Sequence, residues 1–442
     1  MDHLHTVTQW EVYRNRKQIL RNPLPFHRKN FEKYGDIFKV HIGLGTGVIF
    51  TRDATIIRHI LQKQHRKYEK SSLQTRDLAK YIGKGILTAE GEHWRTHRRM
   101  IQPAFHKKKL WGLIENMRSA IEAELKRIVP GQEEDVFPLM GDLAFQVVAK
   151  SLFGRNDIGE RMVRLKDITG RNQKMLIREM RQPYLKWWFR LSGQIRRHLQ
   201  NSEESRRLIN GIIEERLETG GEKDDLLDML LNARYEDGTP MSRKQLIDEV
   251  LILFTAGHET TANALSFCLF LLAKHPEIQE KLWREVVGPS FEIGRKIMQP
   301  SGGPTYLQQC IEEAMRLYPP VYVIDRVSTV ADTIGGHEFS RGTLFLLSIY
   351  ELHRSKAFWK APESYVPERF ASENRKELNE YYHPFGAGPR MCVGNNFAMY
   401  EMQLALAAII QKYTLHTDVE RLAIRPLISL KPGVVPITFL PR

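Results

Sequence analysis

Apolar residues follow a helical period along most of this chain, and one short stretch near the N-terminus departs from it. Apolar positions alternate or cluster over residues 37–42 and 48–50, on either side of a glycine-rich segment at 43–47. This pattern predicts a β-hairpin. The hairpin follows an entry segment, residues 22–36, that contains two prolines and ends in a turn. After the hairpin the helical period dominates, with no internal repeats.

Two long apolar stretches, residues 242–273 and 396–413, predict buried helices. The first is interrupted at its centre by residues 256–261, with the sequence AGHETT. A buried helix gains nothing from a glycine, a charge and two hydroxyls at its middle. This departure from the pattern therefore indicates a functional site.

Composition narrows the class of protein without fixing it. The chain has 442 residues, 42% of them hydrophobic, which is enough for one large domain or two ordinary ones. Its formal charge of +14 suits nucleic acid, anionic lipid or an acidic protein partner. No zinc-finger, RNA-recognition or basic-zipper pattern supports nucleic acid. The three cysteines, Cys268, Cys310 and Cys392, are too few and scattered for a disulfide framework, which favours a reducing, cytoplasmic setting.

The N-terminal segment contains no apolar run of membrane-spanning or signal-peptide length. It passes instead into a charged stretch at residues 11–21. Polar and glycine-containing stretches at 220–225 and 237–240 are typical of loops rather than of domain linkers. We therefore expect a soluble protein without a transmembrane anchor.

The strongest chemical signal lies at residues 385–394, with the sequence FGAGPRMCVG. Its glycines at 386, 388 and 394 allow backbone angles that other residues avoid, so amide groups can crowd around the sulfur of Cys392. The predicted helix that begins at residue 396 places this sulfur near a helix N-terminus, and Arg390 lies two residues before it. This setting favours thiolate over thiol, whereas Cys268 and Cys310 are interpreted as inert buried thiols.

The pattern Phe-x-x-Gly-x-Arg-x-Cys-x-Gly resembles the haem-ligand signature of the cytochrome P450 family at every specified position. The resemblance implies that Cys392 is the thiolate ligand of haem iron, in a cofactor-binding loop that includes Phe385 and Gly394. It also implies a mainly α-helical fold with small β-sheets, which holds haem b between the long central helix and the cysteine loop. We expect a single domain over residues 1–442, with residues 1–21 as an N-terminal extension. Without an N-terminal membrane anchor, the sequence resembles the bacterial members of this family.

Four further residues resemble the groups with which this family binds the haem propionates. Trp94 and Arg98 lie four positions apart on one predicted helix face and offer an indole donor and a guanidinium fork. Arg326 and Arg390 resemble further propionate-binding arginines. The resemblance implies that several cations offset the two carboxylates of haem.

A structural triad is implied by two other motifs. Glu313 and Arg316 form Glu-x-x-Arg, a spacing that taken alone indicates only a common surface ion pair. Together with Arg369 of Pro-Glu-Arg-Phe, they resemble the buried triad of the family, which stabilises the haem-binding core.

Residues 256–261 resemble the oxygen-activation motif of the family. Ala256 and Gly257 would let dioxygen lie against the helix, and Thr260 would hydrogen-bond the oxygen at the iron. Glu259 would help deliver protons through water. The alternative for Thr260 is a hydrogen bond back to its own helix.

These motifs together imply a haem-thiolate monooxygenase that inserts one oxygen atom of dioxygen into a C–H bond. Two electrons would come from a separate ferredoxin or flavodoxin with its reductase, for which residues 95–99 and 107–109 offer basic docking segments. A peroxide-driven peroxygenase would use the same thiolate but generally replaces the acid–alcohol pair. A non-catalytic haem-binding sensor would need no proton relay and usually carries an output module, which the sequence does not show.

The substrate stays open at this stage. We expect the substrate pocket to be lined by a lid region within residues 160–220 and by residues 73–86, 252–256, 321–324 and 432–435. Its expected polar members are Arg76, Lys80, Tyr81 and Tyr322. Such a pocket suits hydroxylation of a fatty acid, terpenoid or carotenoid, and also oxidative O-demethylation of a methyl ether such as a methylated sugar.

The basic, aromatic segment at residues 183–190 has two interpretations. It is either a mobile lid over the substrate channel that touches a membrane, or a corner between helices with buried tryptophans. We favour the corner for Trp187 and Trp188.

Overall fold

The computed structural model describes residues 4–41, 47–154, 159–220, 225–287 and 303–442. Ten helices of ten residues or more in these ranges form most of the structure: α1 (Leu24–Tyr34), α2 (Gly91–Ile101), α3 (Ile114–Leu125), α4 (Val136–Phe153), α5 (Gly159–Arg181), α6 (Gln194–Thr219), α7 (Arg243–Lys274), α8 (Pro276–Val287), α9 (Tyr306–Leu317) and α10 (Asn395–Lys412).

Thirteen short strands in the same ranges form four small sheets: β1 (Thr6–Val7), β2 (Ile37–Val40), β3 (Val48–Thr51), β4 (Tyr68–Glu69), β5 (Glu133–Asp135), β6 (Val323–Ser328), β7 (Asp332–Ile334), β8 (His337–Phe339), β9 (Leu344–Ser348), β10 (Tyr413–His416), β11 (Ile424–Pro426), β12 (Leu430–Pro432) and β13 (Pro436–Pro441). The largest sheet has the order β1-β2-β3-β9-β6-β4, and the others are β10-β13-β5, β11-β12 and β7-β8. The prediction of a mainly α-helical fold with small sheets is confirmed.

The predicted hairpin is also confirmed, because β2 and β3 pair antiparallel from Ile37 with Thr51 to Val40 with Val48. All four residues of β3 are buried, since β9 covers its other edge in a parallel pairing. Most of the predicted turn, residues 42–46, lies outside the described ranges, as do residues 221–224 of the predicted loop at 220–225.

Helix α7 is the central element, and it packs against α4, α6, α9 and α10. It begins where predicted, because the Ser242 side chain accepts a hydrogen bond from the backbone N–H of Gln245 and caps the first turn. The polar residues at 256–261 do not break the helix, which continues through them as predicted. Thr260 and Thr261 donate their hydroxyls to the carbonyls four residues back, at 3.0 and 3.1 Å. The helix itself therefore satisfies these polar groups.

Helices α4 and α7 approach each other closely at Gly257. A Cβ atom placed on this glycine would lie 3.1 Å from Cγ2 of Val148 on α4. By length and composition α4 is the one helix, among the residues that the structure describes, that could span a membrane. Its window of mean hydropathy 1.3 is 67% buried inside the protein. Its apolar residues therefore pack inside the protein, where the helix contacts α7.

The interpretation of Trp187 and Trp188 as buried residues is wrong. They lie on the short helix Lys186–Leu191 and are 60% and 50% exposed. Their neighbour Phe189 is 1% exposed and packs with Met175 and Leu176 of α5. A helix of one and a half turns presents only one narrow face to the core, and Phe189 occupies that face.

The Glu313–Arg316 pair lies on α9 and is completely buried. Arg316 donates from Nε and Nη2 to the two carboxylate oxygens of Glu313, at 2.6 and 2.9 Å. Its remaining N–H groups donate to the backbone carbonyls of His353, Pro362 and Ser364. All five donors of the guanidinium are thus used. The carboxylate of Glu313 also accepts from Nε of Arg369, at 3.2 Å. The side chains thereby connect α9 to residues 353–369.

We expect Arg316→Lys to lower the free energy of unfolding by about 3–5 kcal/mol, because an ammonium group cannot satisfy these acceptors together. Urea unfolding followed by far-ultraviolet circular dichroism measures this change. Arg284→Lys is the control, since Arg284 forms an exposed pair with Glu280 on α8 and should contribute less than about 1 kcal/mol. Equal unfolding midpoints for the two variants would contradict a stabilising role of the buried triad.

Candidate active site

The cysteine loop connects a short turn, Gly388–Arg390, to the start of α10. Gly388 has φ +70°, and a Cβ atom there would lie 2.0 Å from the carbonyl oxygen of Leu61. Only glycine therefore allows the loop to lie against this backbone. The backbone N–H of Cys392 donates to the carbonyl of Phe385 at 2.9 Å, which closes the loop.

The sequence-based expectation for Gly394 is wrong in one respect. Its φ is −89°, an angle that any residue adopts, so its conformation does not require glycine. The carbon that a side chain would add there lies in ordinary contact with Phe105, at 3.7 Å. Gly394 instead places its backbone beside the sulfur of Cys392.

The side chain of Cys392 is exposed to the cavity. The surrounding protein desolvates the thiol and raises its pKa, while the backbone of Gly394 and the charge of Arg98 lower it. A metal cation bound to the sulfur deprotonates a thiol directly.

A cavity of about 420 Å³ extends between the cysteine loop and α7. It is bordered by all eleven residues that the sequence predicts for catalysis or cofactor binding: Trp94, Arg98, Ala256, Gly257, Glu259, Thr260, Arg326, Phe385, Arg390, Cys392 and Gly394. These residues come from α2, α7, β6 and the cysteine loop. The fold therefore brings together groups that are separated by about 300 positions of sequence.

Arg98 connects α2 to the cysteine loop. Its Nη1 donates to the carbonyl of Met391 at 2.7 Å, directly before Cys392, and its Nε donates to Gln102 at 3.1 Å. Trp94, one turn earlier on α2, is buried with its ring 5.1 Å from the guanidinium of Arg390. The tryptophan thus positions one of the predicted propionate-binding arginines.

Sequence reasoning missed a buried lysine among the predicted arginines. Lys70 donates from Nζ to the carbonyl of Ala89 at 2.8 Å, and its backbone N–H donates to Glu90 at 2.7 Å. Glu90 in turn pairs with Arg390 at 2.5 Å. Lys70 lies on no recognisable motif, and no periodicity marks it. Only the fold shows that it borders the same cavity.

The electrostatics of this cluster favour a bound anion. Burial lowers the pKa of Lys70 to about 7, and Arg390 and Arg326 add to the effect although Glu90 opposes it. Burial, followed by the charge of Arg390, also lowers the pKa of Arg326 to about 10. Within the described residues, Nε of Arg390 is buried without a hydrogen-bond partner. The protein therefore holds more positive charge here than its own carboxylates offset.

On α7, Glu259 and Thr260 border the cavity but contact different groups. The hydroxyl of Thr260 donates to the carbonyl of Ala256, which is the alternative that the sequence left open. The carboxylate of Glu259 pairs with Nζ of Lys431 at 2.9 Å and accepts a hydrogen bond from the hydroxyl of Ser429. Burial alone would raise the pKa of Glu259, but Lys431 and Ser429 outweigh it, so the pKa is lowered.

The predicted pocket lining is correct in part. Of residues 73–86, the structure places Gln74, Leu78, Tyr81, Ile82 and Ile86 on the cavity. Residues 432–435 do not border it, because the turn between β11 and β12 presents Ile428 and Ser429 instead. Helix α5 adds Thr169, Asn172, Gln173 and Leu176, which sequence reasoning did not predict individually.

Three of the predicted polar pocket residues do not border the cavity. Lys80 forms an ion pair with Glu179 at 2.6 Å, and Arg76 is an exposed partner of Asp77. Tyr322 donates its hydroxyl to the carbonyl of Leu427 at 2.8 Å. Each finds a local partner, so the cavity is less polar than the sequence indicated.

Across the described parts of the chain, no group of three or more histidine, cysteine, aspartate or glutamate side chains could hold a metal ion. A single cysteine at the cavity, opposite an acid–alcohol pair and beside surplus cations, is an arrangement that fits haem with a thiolate ligand.

The chain belongs to the cytochrome P450 family, whose model matches residues 5–435. It is 30% identical to human cytochrome P450 4B1, over 78% of this chain and 72% of that protein. It is 29% identical to cytochrome P450 132 of Mycobacterium bovis, over 84% of both chains. The crystal structure of the cytochrome P450DA heme domain has a TM-score of 0.82 and 24% identity, over 95% of this chain and 93% of that one. Family members include both bacterial and animal proteins.

The chain is therefore a P450 monooxygenase, which uses haem and dioxygen, and the family generally needs redox partners. Its cavity fits haem on its own observations. Arg98, Arg326, Arg390 and Lys70 offer four cations against the carboxylates of Glu90 and Asp325. The surplus of two matches the two propionates, and Nε of Arg390 provides an unused donor.

Haem binding should depend on pH through Lys70. A dianion beside Lys70 raises its pKa again, so binding takes up a proton between about pH 7 and the ordinary lysine value near 10.4. This uptake lowers haem affinity as pH rises above 7, by at most roughly tenfold per pH unit, and opposes the proton that Cys392 releases when its thiol binds iron. The change in haem affinity between pH 7 and pH 9, measured by competition for haem with apomyoglobin, should therefore be small in the wild type.

In Lys70→Met only the proton release from Cys392 remains, so haem affinity should rise more between pH 7 and pH 9 than in the wild type. Lys63→Met is the control, because Lys63 is exposed and does not border the cavity. If Lys70→Met and Lys63→Met show the same dependence on pH as the wild type, Lys70 does not contact the carboxylates.

Proposed function

We propose that this protein is a haem b monooxygenase that hydroxylates an apolar substrate, with electrons from a separate ferredoxin or flavodoxin and its reductase. The observation that carries the proposal is that Cys392 and the Glu259–Thr260 pair border one cavity. Bound haem supplies an iron at which dioxygen is activated, so that one oxygen atom enters a C–H bond and the other leaves as water.

The residues of this chain have four tasks in that reaction. Cys392 binds the iron through its sulfur, and Arg98, Arg326, Arg390 and Lys70 bind the propionates. Ala256 and Gly257 keep the wall of α7 narrow, since neither side chain extends beyond a methyl group. Thr260 holds a proton on Oγ1 at the cavity. Rotating that hydroxyl away from the carbonyl of Ala256 gives up only one local hydrogen bond.

The cavity lining favours an apolar substrate over a methylated sugar. Its residues from 73–86 and β6 are mainly leucine, isoleucine and valine, whereas α5 contributes Thr169, Asn172 and Gln173 beside Leu176. The amide of Asn172 is already bonded to Ser202 and His198. The buried hydroxyl of Thr255 has no partner within the described ranges. A fatty acid, terpenoid or carotenoid with one polar group suits this lining better than a ring of hydroxyls, which would stay unpaired.

The redox partner is proposed from charge and position. Phe105 lies against Gly394 of the cysteine loop, and it leads directly into the exposed residues Lys107, Lys108 and Lys109. An acidic ferredoxin or flavodoxin bound there would lie close to Cys392. Three unpaired cysteines support a reducing, cytoplasmic compartment. We also propose that residues 1–442 form one domain.

The first prediction from this proposal concerns Cys392. The dithionite-reduced protein treated with carbon monoxide should show a Soret band shifted far to the red, as thiolate-ligated haem does. In Cys392→Ser this band should be lost. Cys268→Ser is the control, because Cys268 is buried away from the cavity. A wild type without haem, or a Cys392→Ser variant that keeps the band, would exclude the proposed ligand.

The second prediction concerns Thr260. In Thr260→Ala we expect product formation to fall on the order of 100-fold while dioxygen consumption continues as peroxide release. Added peroxide should restore turnover, because it bypasses proton delivery. Ser266→Ala is the control, since it removes the same type of helix hydrogen bond from a buried site on α7. Unchanged coupling in Thr260→Ala would show that its hydroxyl does not handle a proton.

A further inference from the structure

The β11–β12 hairpin supplies both partners of the Glu259 carboxylate. Oε2 of Glu259 lies 2.9 Å from Nζ of Lys431, and Oε1 accepts the hydroxyl of Ser429. Neither partner comes from α7, which carries Glu259. The orientation of this carboxylate at the cavity wall is therefore set by a hairpin about 170 residues further along the chain.

The hydrogen-bond directions around Ser429 are determined by its single proton. The hydroxyl donates this proton to Glu259. Its oxygen can therefore only accept from its other partner, the side-chain amide of Asn263, at 3.0 Å. Asn263 lies one turn after Glu259 on α7 and is completely buried. The hydrogen bonds therefore run from Asn263 to Ser429 and from Ser429 to Glu259, with the carboxylate as the final acceptor.

The charges that face Glu259 are few. Lys431 is in contact, and His258 is the adjacent titratable group on α7. Burial lowers the pKa of His258, with Lys166 of α5 as a further nearby cation. Lys431 is thus the one cation in contact with the carboxylate among the residues that the structure describes.

The ion pair lies between the protein surface and the cavity. The side chain of Lys431 is 22% exposed and that of Glu259 is 14% exposed, while Glu259 also borders the cavity. Across the hairpin Lys431 pairs with Arg425, which is exposed. Solvent therefore reaches one side of the pair, and the site of chemistry lies on the other.

We propose that Lys431 and Ser429 are positioning residues for proton delivery, which hold the Glu259 carboxylate between the surface at the β11–β12 hairpin and the cavity. This inference rests on the proposed function. Glu259 takes a proton from solvent at the hairpin and releases it toward Thr260, after which the carboxylate is restored. The charge of Lys431 makes the ionised, proton-accepting form of Glu259 available in a wall where burial would otherwise favour the neutral acid.

The test begins with infrared spectroscopy of the resting haem-loaded protein at pH 7. In Lys431→Met, the carbonyl stretch of a protonated carboxyl should appear, because burial then controls Glu259. Subtracting the spectrum of Lys431→Met combined with Glu259→Gln assigns the band to this residue and removes other buried acids. Lys431→Arg should restore the wild-type spectrum, since it restores the charge.

Turnover provides the second measurement. In Lys431→Met and Ser429→Ala, the fraction of electrons that ends in peroxide should rise several-fold, and Lys431→Arg should recover most of the coupling. Arg425→Met is the matched control, because it removes one positive charge from the same hairpin without touching Glu259. It should behave as the wild type.

The inference is overturned if Lys431→Met resembles Arg425→Met in both the infrared spectrum and the peroxide fraction. It is also overturned if the carboxyl band appears without any change in coupling. Failure of the proposed function gives a different result, namely a wild type that lacks the red-shifted carbon monoxide band. The infrared comparison needs no turnover, so the two failures are distinguishable.

Discussion

A positive charge buried without a partner is costly, and this fold satisfies its buried cations in two ways. Arg316 is completely buried, and every N–H of its guanidinium has an acceptor within the protein. This arrangement is complete by itself and connects α9 to the segment that precedes the cysteine loop. Lys70 and Arg326 are also buried and the side chain of Arg390 is 12% exposed, yet Glu90 and Asp325 offset these cations only partly. We propose that an anion from outside the chain stabilises that cluster, because the two carboxylates of haem match its surplus.

Helix α7 shows how a polar motif can lie within an apolar core. Thr260 and Thr261 satisfy their hydroxyls on their own helix, and Gly257 allows Val148 to pack closely. The charge of Glu259 is the one feature of the motif that α7 cannot satisfy. It requires partners from another element, which is why the β11–β12 hairpin belongs to the site. Helix α7 thus shapes the cavity wall, and the β11–β12 hairpin supplies the partners of the charge on Glu259.

The sequence predicted those parts of the fold and site that have a local signal. Helical periodicity located α7 and α10 to within a residue or two, and the motifs that resemble the family identified eleven residues that border one cavity. It could not predict Lys70 or Lys431, because each owes its position to tertiary pairing of short strands. Periodicity also could not tell which face of a six-residue helix is buried, so Trp187 and Trp188 were assigned to the core in place of Phe189. For Gly394, residue type suggested a special backbone angle that the loop does not use.

The two lysines that the sequence did not indicate have opposite relations to their surroundings. Lys70 lies among other cations, so burial and repulsion disfavour its charge until an anion is bound. Lys431 lies against a carboxylate, so each charge stabilises the other without a ligand. Haem bound as proposed would pair its propionates with the cations around Lys70 and leave the Glu259–Lys431 pair balanced. The cavity would then select a substrate by shape and apolar contact.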